Sequence, residues 1–419
     1  MRVLLVAPHP YFQARGTPIA ERRLVEVLTR AGHEVTILAF SGGEDPGTPG
    51  SELRRIPGLP GIGPVRPGLT FAKAVLDVVL LGALLRSCRR ERWDVVHAVE
   101  EAGVMALLAR RLLGVPYVYD SDSHLAEQTV AGRAWLRPLG RLIERLDRAA
   151  MRGATAILAV CPALGERAAA AAPAVPVVVV EDCSLIEGAP APAAAAELPG
   201  GEPLVLYVGN LERYQGVELL VRAFAHAARA AGTTRARLAI VGGQPRQVAS
   251  LRALARSLGV AERVDLLGPR PLGELGGLLA QATVLVSPRL EGLNTPMKVY
   301  SYLDSGRPLL ATRVTAHTQI LDEDSALLAE PLPGPFGDAL VRLLRDPALR
   351  DRLAAGGRRA VRERLTPESQ ERKLVELYAS VAARLSSHAA VPARPGGDSP
   401  ARPPELSAEV TRAGRPLPP

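Results

Sequence analysis

Short runs of β-branched and apolar residues alternate with longer amphipathic stretches along most of this chain. The runs of the first half are Val3–Ala7, Val35–Phe40, Val95–Val99, Tyr117–Asp120, Ala156–Val160 and Val175–Val180. Apolar runs of this length are typical of parallel strands that are buried on both faces of a sheet. The stretches between them have helical periodicity and lie at Pro18–Ala31, Phe71–Glu91, Gly103–Leu113, Ala134–Met151 and Pro162–Ala171. This alternation predicts a doubly wound parallel sheet.

A segment rich in Ala, Pro and Gly at residues 187–203 interrupts the alternation, which then restarts. The later runs are Leu204–Val208, Leu238–Val241, Val264–Leu267, Val284–Ser287, Leu309–Thr312 and Leu327–Glu330. We therefore predict an α/β chain with two Rossmann-like, doubly wound parallel-sheet domains, at residues 1–186 and 204–370, which face a central cleft. The segment 187–203 would be the linker between them. Ligands of such sheets bind beyond the carboxyl ends of the strands.

The end of the chain divides into a helix and a tail. The pattern Pro367–Leu385 predicts a long final helix, whose residues 371–386 we expect to cross back to the first domain. Pro, Ala, Arg and Gly dominate residues 387–419, which favours a disordered tail.

Composition narrows the classes of function. Hydrophobic residues make up 47% and charged residues 22% of the 419 residues, which is typical of a globular chain. Aromatic residues make up only 4%, which argues against a stacking platform for single-stranded nucleic acid. The net charge of +8 comes from arginines, since only three of the 51 basic residues are lysines. An arginine bias of this kind is no evidence that the protein binds nucleic acid, but the positive charge is compatible with anionic substrates or an anionic membrane surface.

The cysteines and the apolar runs indicate the compartment. Cys88, Cys161 and Cys183 form no CxxC pair, which argues against a disulfide framework or a zinc ribbon and favours a reducing compartment. The first residues have the pattern of a strand rather than of a signal peptide. The apolar run Val78–Leu85 ends at Arg86, well short of the roughly 18 residues of a membrane span. We therefore expect a cytoplasmic protein, at most peripheral at the inner surface of the membrane.

The strongest local signal for chemistry follows the run Val284–Ser287. This loop contains Glu291, Gly292, Leu293, Asn294, Thr295, Pro296, Met297 and Lys298. Thr295 suits a helix N-cap and Pro296 the first helical position, so the loop would present free N–H groups to an anion such as phosphate. Lys298 would lie one turn into the helix and add a positive charge, and Glu291 would need a cationic or hydroxylated partner such as a sugar. A plain capped helix with a solvated glutamate explains these residues equally well.

Two further loops belong to the first domain. Gly16 precedes Thr17 as a second N-cap candidate, which indicates either another ligand-binding loop or a tight turn. His124 follows the run Tyr117–Asp120 and is either a hydrogen-bond donor to a sugar hydroxyl or a surface histidine. Asp120 and Asp122 have the spacing of a metal-binding pair, but the surrounding pattern is not that of the fold in which this pair binds a metal. No histidine has metal-ligand spacing, so no metal is expected. No organic cofactor is expected either.

The order of these motifs resembles the family-4 retaining glycosyltransferases (glycosyl transferases group 1), which have the GT-B fold. Glu291-Gly292 followed by Ser305-Gly306-Arg307-Pro308 is similar to the donor motif of that family. Further stretches that agree in order and spacing are Gly16-Thr17-Pro18 with Ala31–Val35, Asp94–Ala98, Tyr207–Asn210 with Gln215–Val217, and Val241–Gly243 with Leu267–Arg270. The resemblance covers about residues 1–385 and is specific because the segments occur together.

The resemblance implies a metal-independent, retaining transfer of a hexosyl unit from a nucleotide diphosphate sugar to a hydroxyl acceptor, which is a glycan, a lipid-linked sugar or a small molecule. It also implies a role in cell-envelope polysaccharide biosynthesis, with no nucleic acid as partner. The donor would be bound by Gly209, Asn210, Arg213, Gln215, Gly243, Arg270, Gly292, Leu293, Asn294, Thr295 and Ser301. His124, Glu291 and Lys298 would be catalytic, while Gly16 and Thr17 would contact donor phosphate or acceptor.

Three positions depart from the family pattern. Asn210 and Gln215 stand where many members have an Arg and a Lys that clamp the diphosphate, so Arg213 and Lys298 would have to meet its charge. Ser301 stands where many members have a Glu that holds the donor ribose. These departures leave open a second hypothesis, a catalytically degenerate GT-B protein that binds a nucleotide sugar or a partner transferase.

The sequence also bears on an oxidoreductase function and on binding to a lipid surface. A dinucleotide oxidoreductase is disfavoured, because the run Val3–Ala7 is not followed by GxGxxG. The basic residues Arg86, Arg89, Arg90 and Arg92 end the pattern Phe71–Glu91. They are either cations at the C-terminus of a packed helix or a patch that docks on anionic lipid.

Overall fold

The computed structural model describes residues 1–13, 16–45, 47–59, 70–123, 137–186, 198, 201–230 and 235–389. His124, most of the linker at 187–203 and residues 390–419 of the tail lie outside the described residues. The described chain forms two parallel sheets, each with helices on both faces.

The first sheet has the strand order β3-β2-β1-β4-β5-β6-β7. Its strands are β1 (Arg2–Pro10), β2 (Glu34–Phe40), β3 (Ser51–Arg55), β4 (Val95–Val99), β5 (Tyr117–Ser121), β6 (Ala156–Ala159) and β7 (Val177–Val179). The second sheet has the order β10-β9-β8-β11-β12-β13. Its strands are β8 (Leu204–Val208), β9 (Arg237–Val241), β10 (Val264–Gly268), β11 (Val284–Ser287), β12 (Leu309–Thr312) and β13 (Leu327–Ala329). In each sheet the second and third strands lie on one side of the domain's first strand, and the later strands lie on its other side. This arrangement confirms the predicted α/β, doubly wound fold class.

Helices connect the strands of both sheets. In the first half they are α1 (Gly16–Arg30), α2 (Phe71–Arg90), α3 (Ala102–Leu113), α4 (Arg137–Gly153) and α5 (Pro162–Ala171). In the second half they are α6 (Val217–Ala227), α7 (Pro245–Ser257), α8 (Leu275–Ala280), α9 (Lys298–Asp304), α10 (Thr315–Thr318), α11 (Pro333–Arg345), α12 (Pro347–Arg364) and α13 (Pro367–Ala389). Among the described residues, no helix is both long enough and apolar enough to span a bilayer.

The strand β1 shows why the apolar runs fold this way. Its side chains alternate between the two faces of the sheet, and both faces are covered. Leu4 and Val6 pack in the core beneath α2, α3 and α4, whereas Val3 and Leu5 pack in the core beneath α1 and α13. All four side chains are fully buried, so the run has no polar position.

The strand β3 was not predicted. Its sequence has one apolar residue, Leu53, and none of its residues is fully buried. As an edge strand it pairs only with β2, and this backbone pairing requires no apolar side chains. A search for apolar runs therefore misses it.

The final helix α13 lies against the first sheet although it follows the second in sequence. Leu374, Leu377 and Val381 belong to the core beneath β1, and the Tyr378 hydroxyl is 2.9 Å from His97 Nδ1. The helix continues to Ala389, so the tail predicted from residue 387 is wrong for its first residues.

Candidate active site

The carboxyl ends of β8, β9 and β10 meet at one edge of the second sheet. The Gly209 N–H donates to Val241 O at 3.0 Å, and the Gly242 N–H donates to Gly268 O at 2.7 Å. A Cβ at Gly242 would lie 3.0 Å from the Gly209 carbonyl carbon and closer still to its oxygen. The three strand ends are therefore packed backbone against backbone, and the partly exposed Gly243 follows directly.

The ammonium of Lys298 lies at this edge. Its Nζ donates to Gln215 Oε1 at 3.0 Å and is 3.9 Å from the centre of the Tyr207 ring. No carboxylate among the described residues pairs with it. Burial, and secondarily the positive charge of Arg289, holds the pKa of Lys298 well below that of an ordinary lysine. A partly buried cation without an anion at its side is stabilised by a negatively charged ligand.

The loop before Lys298 carries free hydrogen-bond donors. The N–H groups of Gly292, Leu293 and Asn294 donate to no other residue in the part of the chain that the structure describes. All three residues are partly exposed. Their amides are therefore available to the oxygens of an anion.

Arg289 supports this loop from beneath and was not found from the sequence. Its Nε donates to Glu291 O at 2.7 Å and its Nη2 donates to Asn294 Oδ1 at 2.6 Å. The guanidinium lies 5.1 Å from the centre of the Tyr214 ring, and only 5% of the residue is exposed. The sequence does not distinguish Arg289 from the many other arginines, because its role depends on its burial in the folded chain.

A buried polar network holds Arg289 in turn. The Thr312 hydroxyl donates to Arg289 O, and His317 Nδ1 lies 2.9 Å from Thr312 O. His317 Nε2 lies 2.8 Å from the Ser287 hydroxyl. Burial lowers the pKa of His317 to about 3, so this imidazole stays neutral and has a structural role.

The two predicted N-caps are wrong. The helix α9 begins at Lys298 and has seven residues, so Lys298 is its first residue and does not lie one turn in. The Thr295 side chain is buried and accepts a hydrogen bond from Gln319 Nε2 at 3.0 Å. The helix α1 begins at Gly16, and the Thr17 hydroxyl donates to Asp122. In both loops the threonine hydroxyl bonds to a distant side chain, which local sequence cannot show.

The other residues that the sequence predicts to bind the donor sugar nucleotide differ in how exposed their side chains are. Ser301 is fully buried, and its Oγ accepts the Leu185 N–H at 2.9 Å, so the predicted ribose contact is not available to it. Gln215 is 5% exposed, and its Oε1 accepts a hydrogen bond from Lys298 Nζ at 3.0 Å. The predicted residues whose side chains are exposed at this edge are Asn210, Arg213, Arg270 and Glu291.

Buried carboxylates line the corresponding edge of the first sheet. Asp120 Oδ2 is 3.0 Å from His97 Nε2, and the Ser123 hydroxyl donates to Glu100. Burial, and then the neighbouring carboxylates Glu100 and Asp120, raises the pKa of Asp122 well above its usual value. Among the described residues, no three His, Cys, Asp or Glu side chains are arranged as a metal site.

Asp182 lies just after β7, and we expect it to make the stability of the folded protein depend on pH. Burial, and then the Asp120 carboxylate, raises its pKa to about 7. This pKa exceeds that of an aspartate in the unfolded chain, so the protonated form of Asp182 stabilises the folded state. The stabilisation is complete below about pH 4 and is lost as the pH rises through about 7. We expect Asp182→Asn to raise the melting temperature at about pH 8 and to change it far less at about pH 4. The exposed Asp351→Asn is the control, and an equal effect of Asp182→Asn at both pH values would contradict the prediction.

Gln319 joins the loop of the second domain to the first domain. Its Oε1 accepts the Ala163 N–H at 2.9 Å, while its Nε2 donates to Leu293 O at 2.7 Å. Cys161 of the first domain approaches the same carbonyl, with its Sγ 3.5 Å from Leu293 O. The position of the loop that carries the free amides is therefore coupled to the contact between the domains.

Comparisons with known proteins agree with this architecture. The family models of a glycosyl transferase 4-like domain and of glycosyl transferases group 1 match residues 16–183 and 202–346. The chain is 30% identical over 287 residues to a D-inositol 3-phosphate glycosyltransferase of Frankia alni, which covers 63% of this chain and 69% of that protein. A second such protein, from Thermobifida fusca, is 34% identical over 168 residues, 38% of either chain.

Solved structures share the fold at low sequence identity. A sucrose-phosphate synthase from Thermosynechococcus elongatus superposes with a TM-score of 0.77 at 21% identity, over 91% of this chain and 99% of that one. The Anabaena protein HepE, solved with UDP-glucose, superposes with a TM-score of 0.66 at 16% identity, over 91% of this chain and 100% of that one. These similarities extend over both sheets.

Proposed function

This chain belongs to the group 1 glycosyl transferases, and we propose that it moves a hexosyl unit from a nucleotide diphosphate sugar to a hydroxyl acceptor, with retention and without a metal ion. The relatives named above are D-inositol 3-phosphate glycosyltransferases, and HepE was solved with UDP-glucose. Both facts support a nucleotide sugar as the donor. We place the reaction in the cytoplasm, with a glycan, a lipid-linked sugar or a small molecule as acceptor.

One observation carries this proposal: among the described residues Lys298 has no carboxylate partner, and it follows a loop whose three N–H groups donate to none of them. Lys298 and the N–H groups of residues 292–294 supply positive charge and donors at the edge where ligands of such sheets bind. A diphosphate leaving group develops negative charge as its bond to the sugar breaks. Preorganised donors of this kind stabilise such charge in the transition state.

The proposed reaction exchanges one bond at the anomeric carbon. The bond from this carbon to the diphosphate oxygen breaks, and a bond to the acceptor oxygen forms on the same face. The leaving phosphate oxygen accepts the proton of the acceptor hydroxyl, so no enzyme nucleophile is assigned. The exposed Glu291 would bind sugar hydroxyls of the donor, and Arg213 and Arg270 would meet its phosphates or nucleotide. The sequence-based role of His124 in orienting the sugar stays a prediction.

The coupling through Gln319 predicts a donor-binding phenotype. Gln319→Met keeps the length of the side chain but removes its hydrogen bonds to Ala163 and Leu293, so the loop loses its anchor on the first domain. We expect the KM for the donor to rise about tenfold, with a smaller change in kcat. Steady-state kinetics at saturating acceptor measure this split.

The matched control is Gln281→Met. Gln281 also directly follows a short helix of the second domain. It accepts the Leu198 N–H and donates to Gly277 O, and neither of these bonds involves the loop. An equal rise in the donor KM for both variants would mean that the loop is not positioned through Gln319.

Titration calorimetry with a panel of nucleoside diphosphates and nucleotide sugars tests the function. We expect one nucleotide to bind to the full chain and its sugar conjugate to be consumed when the correct acceptor is present. The configuration of the product, determined by NMR, tests retention. If no nucleotide of the panel produces heat and none of the sugars is consumed, the proposal fails.

The second candidate is a binding protein without transfer activity. It is favoured by Ser301, which is buried and bonded to Leu185, so this position offers the donor ribose nothing. Donor binding with neither transfer nor hydrolysis across a broad acceptor panel would select this alternative.

A further inference from the structure

Three neighbouring helices of the first domain expose an unusual number of apolar side chains. The helices α2, α3 and α4 lie side by side and cover the same face of the first sheet. They carry six of the ten large hydrophobic side chains exposed in the described chain: Phe71, Val78, Leu108, Leu112, Leu142 and Leu146. Each helix contributes a pair spaced by four or seven residues, so each pair forms one stripe on its helix. The other four are scattered over separate elements.

Every exposed charged residue described on these helices is an arginine. They are Arg86, Arg89, Arg90, Arg110, Arg111, Arg141, Arg145, Arg148 and Arg152. The three helices contain only three acidic residues, and each has a basic partner: Asp77 with Lys73, Glu144 with Arg148, and Asp147 with Arg167. We call these six apolar and nine basic residues the basic apolar face. Its positive charge is not balanced within the helices.

A comparison within the chain separates this face from the general abundance of arginine. The helix α12 of the second domain also exposes several arginines, among them Arg359 and Arg362. It exposes the acidic residues Asp351 and Glu363 as well, and no large hydrophobic side chain. The combination of apolar stripes with unbalanced positive charge is therefore a property of α2, α3 and α4.

We propose that the basic apolar face docks the protein on an anionic lipid bilayer. Leucine, valine and phenylalanine side chains would enter the boundary between head groups and acyl chains, while the guanidinium groups beside them would bind lipid phosphates. A nucleic acid would match the charge, but its backbone gains nothing from leucines, and the face has one aromatic residue for stacking. The proposal does not depend on sugar transfer, because docking requires neither donor nor acceptor.

Flotation with phosphatidylcholine vesicles, with and without phosphatidylglycerol, tests this in the absence of any substrate. We expect the full chain to float only with the anionic vesicles and to be released by high salt. The double substitution Arg141→Gln with Arg145→Gln should lower the partition coefficient about thirtyfold. Leu142→Ser with Leu146→Ser should lower it about tenfold or more without changing the net charge.

The matched control is Arg359→Gln with Arg362→Gln on α12, which removes the same charge from the other domain. Equal loss of binding in this control, or no binding to anionic vesicles by the parent chain, would overturn the proposal. Unchanged binding after the leucine substitutions, together with equal binding to duplex DNA, would identify a general polyanion surface instead. All substituted residues are exposed, and the melting temperature of each variant shows whether it has folded.

Discussion

Replacing Lys298 with alanine should lower kcat by about 100-fold or more while the protein stays folded. The ammonium lies at the end of β8, on the face of the Tyr207 ring, and donates to Gln215 Oε1. If it meets the charge of the departing diphosphate, its loss removes an interaction that is stronger in the transition state than in the bound donor. The effect should therefore fall on kcat more than on the KM for the donor.

Gln215→Met is the companion variant for this test. It removes the acceptor that holds the ammonium but leaves the charge in place, so we expect a loss of at most about tenfold in kcat. If Lys298→Ala turns over at the parental rate, Lys298 has no role in leaving-group stabilisation. If both variants lose activity equally, the decisive feature is the position in which Gln215 holds the ammonium, because the charge of the lysine alone is not sufficient.

The lowered pKa of Lys298 adds a pH signature. Because burial and Arg289 disfavour the ammonium form, this lysine loses its proton at a lower pH than an ordinary lysine. Activity that needs the charge should thus decline on the alkaline side, and the decline in kcat/KM should begin below the usual range of lysine. Lys298→Arg keeps the charge at every accessible pH, so its residual activity should lack this decline.

The strands were predictable from the sequence because their signal is local. Val95–Val99 and Val284–Ser287 coincide with β4 and β11, whose residues are all buried and, apart from His97 and Ser287, apolar. The candidate loop after β11 was found for a related reason, because Gly292 lies in the short stretch of sequence between this strand and the next helix, and Lys298 begins that helix. Side-chain roles in that loop were less predictable. Thr295 bonds to Gln319, and Arg289 acts from within the core, and both facts depend on residues distant in sequence.

Replacing Gly216 with alanine should destabilise the second domain by about 3 kcal/mol. Gly216 joins the short 3₁₀ turn Arg213–Gln215 to α6 with a φ of +70°. A Cβ there would lie 2.9 Å from the Pro288 carbonyl carbon and closer still to its oxygen, and 3.1 Å from Leu290 Cγ. The nearest atoms belong to the backbone of Pro288, so the clash cannot be relieved by a change of side-chain rotamer. The neighbouring backbone is also held in place, because the Leu290 N–H donates to Tyr214 O at 2.8 Å.

Gly259→Ala separates the clash from the cost of the backbone conformation. Gly259 belongs to the same domain and has a φ of +72°, but a Cβ there would meet nothing within 4 Å. Its alanine variant should lose only about 1 kcal/mol, the cost of a left-handed conformation with a side chain. Urea unfolding of the two variants measures the difference, and equal losses would refute the close packing of Gly216 on Pro288. Because the turn carries Gln215, Gly216→Ala should also displace the acceptor of Lys298 and lower kcat, whereas Gly259→Ala should leave kcat unchanged.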